Sequence, residues 1–229
     1  MEQILPVYKP VGITSFDVIR EFKHALHPDY KVGHGGTLDP FAEGVLLLLL
    51  GKATKRMDEL SNLPKTYRAT ARLGGSSDTL DRTGTITTQI INPKFSNSQI
   101  EETSRKFVGE IEQAIPDYSA TKINGVPRYK LARQGIEMKP KSKKVNIYAI
   151  ENIQIKESNG SNLPAQAGHR TMVEMTVTCS AGTYIRQLSY DIFKTLGIES
   201  YLEELTRTKI GEYEIEKCVK IADFSDLKF

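Results

Sequence analysis

Residues 33 to 40 read Gly33-His34-Gly35-Gly36-Thr37-Leu38-Asp39-Pro40, placing glycines, one imidazole and one carboxylate on a stretch built for close backbone approach. Several chemistries use such parts. A phosphate-cradling loop needs a Lys-Ser or Lys-Thr pair at fixed spacing, which is missing here, and Gly51-Lys52-Ala53 lacks the hydroxyl that would meet magnesium. A metal site could take His34 and Asp39, but His24 and His27 lie three apart elsewhere and His169 is the remaining histidine, so no ligand set forms. A serine hydrolase needs a G-x-S-x-G elbow, and the chain has none. Two readings stay open from the residues alone. Asp39 is either a carboxylate presented for reaction on a tight turn, or a turn residue that bonds local amides ahead of Pro40.

The elements that must position this stretch are legible on both sides of it. Thr14 with Asp17 approximates a capping box, and Phe16, Ile19, Phe22 and Leu26 follow at helical spacing, which predicts a helix over Thr14 to Leu26. A Gly-rich turn is expected to begin at Gly33. Val45 to Leu50 is a continuous apolar run and reads as a buried strand, and Thr54 to Asn62 reads as a helix that stops before Pro64. Tyr67, Ala69, Ala71 and Leu73 alternate with polar residues, so a half-buried strand should turn Tyr67 inward. Ser98 with Glu101 suggests a second capping box, opening a helix to about Val108. Val173 to Cys179 alternates as another strand and ends at Ala181-Gly182. Ile185, Leu188, Ile192, Phe193 and Leu196 then mark a helical stripe stopped by Gly197, with Arg186 at its start. Glu157 to Arg170, rich in Ser, Asn and Gly, reads as a long hairpin loop. No regular βαβ repeat appears, so the expected class is α+β, a mixed, mainly antiparallel sheet with packed helices.

At 229 residues, 39% hydrophobic and 26% charged, the chain can bury a real core as a single domain. Its longest apolar run is far too short to span a bilayer, and Glu2 stands where a signal peptide would carry cations, which predicts a cytoplasmic protein. Cys179 and Cys218 are widely separated and read as reduced thiols. Net charge is only +3, but it is unevenly placed. Lys122, Arg128, Lys130, Arg133, Lys139, Lys141, Lys143 and Lys144 face a single acid, Glu137, so all of the positive excess lies in one segment. With Gly125, Pro127, Tyr129, Gly135 and Pro140 among them, the segment reads as a looped excursion with one helical turn at Tyr129 to Arg133. A basic loop carrying an aromatic suits nucleic acid, while a solvated charged loop would look the same.

Taken together, these stretches resemble the TruB-type tRNA pseudouridine synthases. Tyr8-Lys9-Pro10-Val11-Gly12 is similar to the family's opening Lys-Pro motif, Gly33 to Gly44 to its Asp-bearing loop, and Leu50 to Lys55 to the turn after it. Lys65-Thr66-Tyr67-Arg68 resembles its tyrosine motif, Ser77 to Asp81 its acidic hairpin, and Gly182-Thr183-Tyr184-Ile185-Arg186 its arginine motif. Ser119 to Gly125, followed by Tyr129 to Gly135, resembles its RNA-clasping thumb, which here would occupy about residues 118–146. The order agrees over residues 4 to about 215.

The resemblance implies isomerisation of uridine to pseudouridine at position 55 in the T loop of tRNA, with no metal or cofactor and with a monomeric protein acting on the T stem-loop. It makes Asp39 the nucleophile, attacking either C6 of the uracil or C1′ of the ribose. By the same resemblance His34 fills the space left by the flipped base, Tyr67 stacks on the uracil, and Arg186 pairs with the aspartate. Lys9 and Tyr184 support the site. Lys55 and the cations Lys122, Arg128, Lys130, Arg133, Lys141, Lys143 and Lys144 meet phosphates. The Gly35-Gly36-Thr37 form of the loop is closer to the dyskerin-like branch, which acts on other RNAs. After Phe224 too little chain remains for the C-terminal PUA domain that many members carry. An RNA-binding folding chaperone with incidental activity is the rival reading.

Overall fold

A computed structural model describes residues 1–88, 96–158 and 170–228. The first strand, β1 (Glu2–Lys9), buries alternate residues from Leu5 to Lys9. Helix α1 (Ser15–Leu26) opens on the expected capping box, in which the Thr14 hydroxyl accepts the Asp17 N–H and the Asp17 carboxylate accepts the Thr14 N–H. Two antiparallel strands follow, β2 (Val32–Gly35) and β3 (Glu43–Gly51). Here the structure corrects the sequence reading. Gly33, His34 and Gly35 are not a turn but ladder residues opposite Leu49, Leu48 and Leu47, and the chain turns only at Gly36, whose φ is +81°. The helix expected over Thr54 to Asn62 is also split, into a 3₁₀ segment over Lys52–Arg56 and a short helix α2 (Met57–Ser61).

Strand β3 explains its own unbroken apolar sequence. Leu46, Leu48 and Leu50 pack with Val18, Phe22 and Phe224, whereas Val45, Leu47 and Leu49 pack with Ala53, Leu60 and Ile210. Alternate side chains of a strand point to opposite faces, so both faces of β3 are covered, one by α1 and the other by α2.

Strand β4 (Lys65–Leu73) carries Tyr67 inward as expected, at 8% exposure. A small hairpin of β5 (Gly75–Ser77) and β6 (Ile86–Thr88) precedes helix α3 (Asn97–Arg105). The capping box of α3 is Ser96 with Gln99 rather than Ser98 with Glu101, and the helix stops at Arg105 short of Val108. Glutamine at the third position serves the box as well as glutamate, which displaces the start by two residues. Strand β7 (Gly109–Ala114) is followed by a two-residue hairpin, β8 (Lys122–Ile123) and β9 (Val126–Pro127), and by helix α4 (Arg128–Arg133). Asn124 and Gly125 both take positive φ at that hairpin's turn, the conformation an Asn-Gly pair favours. The long strand β10 (Ser142–Ser158), β11 (Arg170–Cys179), helix α5 (Ile185–Thr195), β12 (Ser200–Ile210), β13 (Tyr213–Glu214) and β14 (Val219–Lys220) complete the chain. Most of the loop expected over Glu157 to Arg170 lies outside the described residues.

The elements group into two compact units. The first contains Met1–Arg68, Thr178–Ala181 and Leu205–Phe229, and the second contains Ala69–Val177 and Gly182–Glu204. Within the first, hydrogen-bonded neighbours run β14-β1-β3-β12-β4-β11, with β2 also on β3 and β13 on β12. Within the second they run β12-β4-β11-β10-β7. Strands β4, β11 and β12 contribute part of their length to each unit. The pairing is mixed: β1 with β3 and β10 with β7 are antiparallel, while β12 with β3 and β1 with β14 are parallel. The fold is α+β, as the patterning implies.

Candidate active site

In the first unit the segment from Gly36 to Pro40 is held at nearly every residue. Arg207 on β12 donates through Nη2 to the Gly36 carbonyl at 3.0 Å and through Nη1 to the Thr37 carbonyl at 3.2 Å. Its Nε donates to the Val45 carbonyl in β3 at 2.8 Å. The Ser15 hydroxyl at the start of α1 accepts the Leu38 N–H at 2.9 Å and donates to the Leu38 carbonyl at 3.3 Å. Gly12 N–H donates to the Pro40 carbonyl at 2.8 Å, and Ala42 N–H to the Asp39 carbonyl at 3.1 Å. Asp39 therefore stands on backbone whose neighbours have little freedom, while its own side chain remains partly accessible. That is how a fold presents a carboxylate for chemistry.

Charge around the loop is predominantly positive and buried. Lys9 is fully buried and donates to the Pro10 and Ile13 carbonyls at 2.7 and 2.8 Å. Lys65, 4% exposed, donates to the carbonyls of Ser61 and Leu63. Burial lowers the pKa of each to about 8; for Lys9 the Asp39 and Glu43 charges oppose that shift and Arg207 adds to it, whereas for Lys65 Arg207 adds to it. His34 is held below its ordinary value, first by burial and then by Arg207, so its imidazole is neutral near pH 7. Its Nδ1 is buried without a hydrogen-bond partner among the described residues. The Tyr67 hydroxyl is pushed up by burial, against the pull of the Arg207 cation beside it. Lys9, His34, Asp39 and Tyr67 thus share one neighbourhood, and Arg207 acts on most of it. Lys55 lies exposed in the 3₁₀ segment.

Arg207 escapes the sequence reading. The only available sign is an arginine between Leu205 and Lys209 on an alternating strand, two residues from each, at a position where period-two patterning expects an inward side chain. Buried arginine needs every donor satisfied, and it is 1% exposed.

In the second unit Arg186, on the first turn of α5, is 4% exposed. It donates to the Thr79 carbonyl at 2.5 Å and the Tyr118 carbonyl at 3.0 Å, and lies 3.5 Å from the Asp81 carboxylate. Asp81 is fixed in turn by the hydroxyls of Thr79 and Thr83 and the Thr83 N–H. Tyr184 is gripped from several sides. The Gln113 side-chain amide accepts its N–H at 2.8 Å and donates to its carbonyl at 3.0 Å. Its hydroxyl shares a hydrogen bond with Thr121 at 2.9 Å, and the Lys143 ammonium sits 4.1 Å from its ring centroid while donating to the Gly182 carbonyl.

The basic excursion has the expected helical turn, α4, and the cations divide. Lys122, Lys130, Arg133, Lys141 and Lys144 are exposed, with Lys144 ion-paired to Glu110 at 2.7 Å and Arg133 stacked 5.6 Å from the Tyr129 ring centroid. Arg128 is corrected by the structure. It is 1% exposed, ion-paired with Asp117 and bonded to the Lys139 carbonyl, so it braces the excursion from within rather than facing solvent. Lys143 is likewise occupied by Gly182 and Tyr184. Among the described residues no group of three or more His, Cys, Asp or Glu is disposed to hold a metal ion, and no helix is long and apolar enough to cross a membrane.

Residues 23–185 match the model of the TruB family pseudouridylate synthase N-terminal domain. The chain belongs to the TruB family. It is 43% identical over 226 residues to a protein of Clostridium tetani called tRNA pseudouridine synthase B, covering 99% of this chain and 73% of that one. A protein of the same name from Dehalococcoides mccartyi is 37% identical over 228 residues, covering all of this chain and 71% of that one. Among solved structures, a Cbf5-Nop10-Gar1 complex matches with TM-score 0.69 and 29% identity, covering 97% of this chain and 53% of that one. An H/ACA RNP bound to a substrate RNA containing 2′-deoxyuridine matches with TM-score 0.66 and 28% identity over 97% of this chain. The chain spans about half the length of those two solved chains. TruB family membership makes this chain a pseudouridylate synthase, and therefore an enzyme.

Proposed function

We propose that this TruB family member isomerises uridine to pseudouridine at position 55 in the T loop of tRNA, with Asp39 as nucleophile. The observation that carries the reading is the loop from Gly36 to Pro40, pinned from Arg207, Ser15 and Gly12, with the Asp39 side chain left partly accessible above buried cations. A loop held in this way presents its carboxylate to a reacting carbon in a fixed place.

The bookkeeping of the isomerisation closes without an outside reagent. Attack of an Asp39 carboxylate oxygen on C1′ breaks the N1–C1′ bond and leaves the uracil with the electron pair. The base turns, C5 bonds to C1′ and the carboxylate departs; C5 then gives up its proton and N1 gains one. Attack at C6 is the other entry: the C5–C6 double bond opens as Asp39 bonds to C6, N1–C1′ breaks with its electron pair left on N1, the tethered base turns and C5 bonds to C1′, and loss of the C5 proton expels the carboxylate from C6 while N1 gains a proton. In either case water must be kept out, or the base is lost to hydrolysis. A stacked loop admits neither, so the uridine is flipped out at a cost of a few kcal/mol. Neutral His34 suits the vacated stack, where a cation would have to be desolvated, and the buried Tyr67 ring suits the flipped uracil. The family resemblance gives Arg186 the part of cation for the aspartate and Lys9 and Tyr184 the part of supports, and the protein works as a cytoplasmic monomer. The excursion of residues 118–146 clasps the T stem-loop through the phosphate contacts of Lys122, Lys130, Arg133 and Lys141, with Lys55 adding another.

The test is incubation of the protein with unmodified tRNA and pseudouridine-specific mapping. Wild type is expected to modify position 55 and Asp39→Asn to modify nothing while binding tRNA nearly as well. Modification nowhere would favour the folding-chaperone reading, and wild-type turnover by Asp39→Asn would remove the nucleophile assignment.

A further inference from the structure

We propose that Arg207 is the positioning residue for the nucleophile, the group that sets the Asp39 loop in register with β3. This rests on Asp39 being the nucleophile. Its guanidinium reaches two carbonyls in the loop, Gly36 and Thr37, and one in the strand behind it, Val45. One planar cation thereby joins the turn that carries Asp39 to the most deeply buried strand of its unit. A lysine ammonium can gather carbonyls that converge on one point, as Lys9 and Lys65 do, but it lacks the planar fork by which Arg207 meets three carbonyls from three separate nitrogens. Other main-chain restraints on the loop are neutral: Ser15 holds both the N–H and the carbonyl of Leu38, Gly12 the carbonyl of Pro40, and Ala42 the carbonyl of Asp39.

The backbone is arranged to bring Arg207 there. Arg207 pairs in parallel register with Gly44, whose φ is +112°, and a Cβ at Gly44 would lie 2.2 Å from the Arg207 carbonyl oxygen. A Cβ at Gly36 would lie 3.7 Å from Lys65 Cε and 3.8 Å from Arg207 Nη1, so the loop backbone rests directly on two cations. The same guanidinium influences Lys9, His34, Lys65 and Tyr67. Arg207 acts on the reaction through these groups.

The experiment measures kcat and KM on unmodified tRNA for wild type, Arg207→Lys, Arg207→Ala with and without millimolar guanidinium chloride at matched ionic strength, and Ile210→Ala. Ile210 is a fully buried core residue on the same strand and reports what simple destabilisation of β12 does. Displacing a catalytic group by about 1 Å costs on the order of 100-fold, so Arg207→Lys should lose about that much in kcat with KM within about threefold of wild type. Guanidinium should restore at least about tenfold of the Arg207→Ala loss, whereas sodium should restore none. Ile210→Ala should keep kcat within about threefold despite a lowered Tm. Wild-type kcat in Arg207→Lys, a loss confined to KM, or an equal kcat loss in Ile210→Ala would each overturn the proposal. If Arg207→Ala does not fold, Arg207→Lys against Ile210→Ala still decides. Asp39→Asn run in parallel separates the two readings: its turnover tests the nucleophile, and the Arg207 variants test only how the nucleophile is held.

Discussion

The division of cations within the basic excursion has a quantitative consequence for tRNA binding. Lys130 and Arg133 lie three apart on α4, share a face and are exposed, whereas Arg128, at the start of the same helix, is buried against Asp117. Each cation that neutralises a phosphate contributes ~0.7 to 0.9 to the slope of log affinity against log salt. Lys130→Ala with Arg133→Ala should therefore flatten that slope by about 1.4 to 1.8. Between 50 and 200 mM salt that amounts to roughly tenfold less loss of affinity than in the parent protein. Arg128→Met removes just as much formal charge as either single change but should leave the slope within about 0.3 of the parent. Its cost falls on folding: loss of the Asp117 and Lys139 partners is worth about 1 to 2 kcal/mol, moderated because Asp117 is itself 56% exposed. Faster exchange of the Arg128 and Tyr129 amides, which bond Thr121 and Ser119, should report it. Titration of unmodified tRNA at four salt concentrations, in an Asp39→Asn background to prevent turnover, provides the slopes. If Arg128→Met flattens the slope as much as the double variant, the buried brace is not the state that meets RNA and the assignment of roles is wrong.

Gly44→Ala should unfold or aggregate the protein, since its Cβ meets backbone at 2.2 Å and φ is strongly positive, while Gly36→Ala, with nothing nearer than 3.7 Å, should cost only the ~1 to 2 kcal/mol of left-handed strain; thermal melts compare the two. The Lys65 pKa in the folded state, about 8, lies below its unfolded value, so the unfolded chain binds more protons between the two and stability rises with pH there. Urea unfolding at pH 7.5 and 9.5 should show wild type gaining on the order of 1 to 2 kcal/mol relative to Lys65→Met, and a gain at the lower pH instead would contradict the burial of its charge. Gln113→Leu leaves the Tyr184 N–H and carbonyl without their side-chain partners, at about 2 kcal/mol. Accelerated exchange of the Tyr184 amide in that variant is the expected signature, and unchanged protection would refute the clamp.

What the sequence could reveal followed its periodicities. The helix at Ser15, the apolar strand at Val45 and the inward Tyr67 each repeat at the spacing of their element, so pattern alone locates them. Gly33 and Gly35 misled because glycine marks conformational freedom without saying whether it is used; here the two sit in a ladder, and only Gly36 adopts a positive φ. Asp39 stands out by its motif, but the apparatus that holds it does not. Arg207 and Ser15 are 168 and 24 positions from it and act through main-chain carbonyls, contacts that leave no trace in residue type. Arg128 failed for a related reason. A run of cations looks uniform in one dimension, and which member turns inward depends on where Asp117 and the Lys139 carbonyl fall in three.

The bond from Arg207 to Thr37 also sets a schedule for the enzyme's birth, because it joins groups 170 positions apart in the chain. At a synthesis rate of about 5 to 20 residues per second, the carboxylate leaves the ribosome roughly 10 to 30 seconds before the arginine that fixes its loop. During that interval α1, β2 and β3 can assemble locally, yet the parallel partners of β3 and β1, at Thr206 and Val219, have not been made. A nascent chain stalled before residue 207 would thus carry the Asp39, His34 and Tyr67 side chains without an ordered place for them, and chemistry would begin only once β12 has emerged.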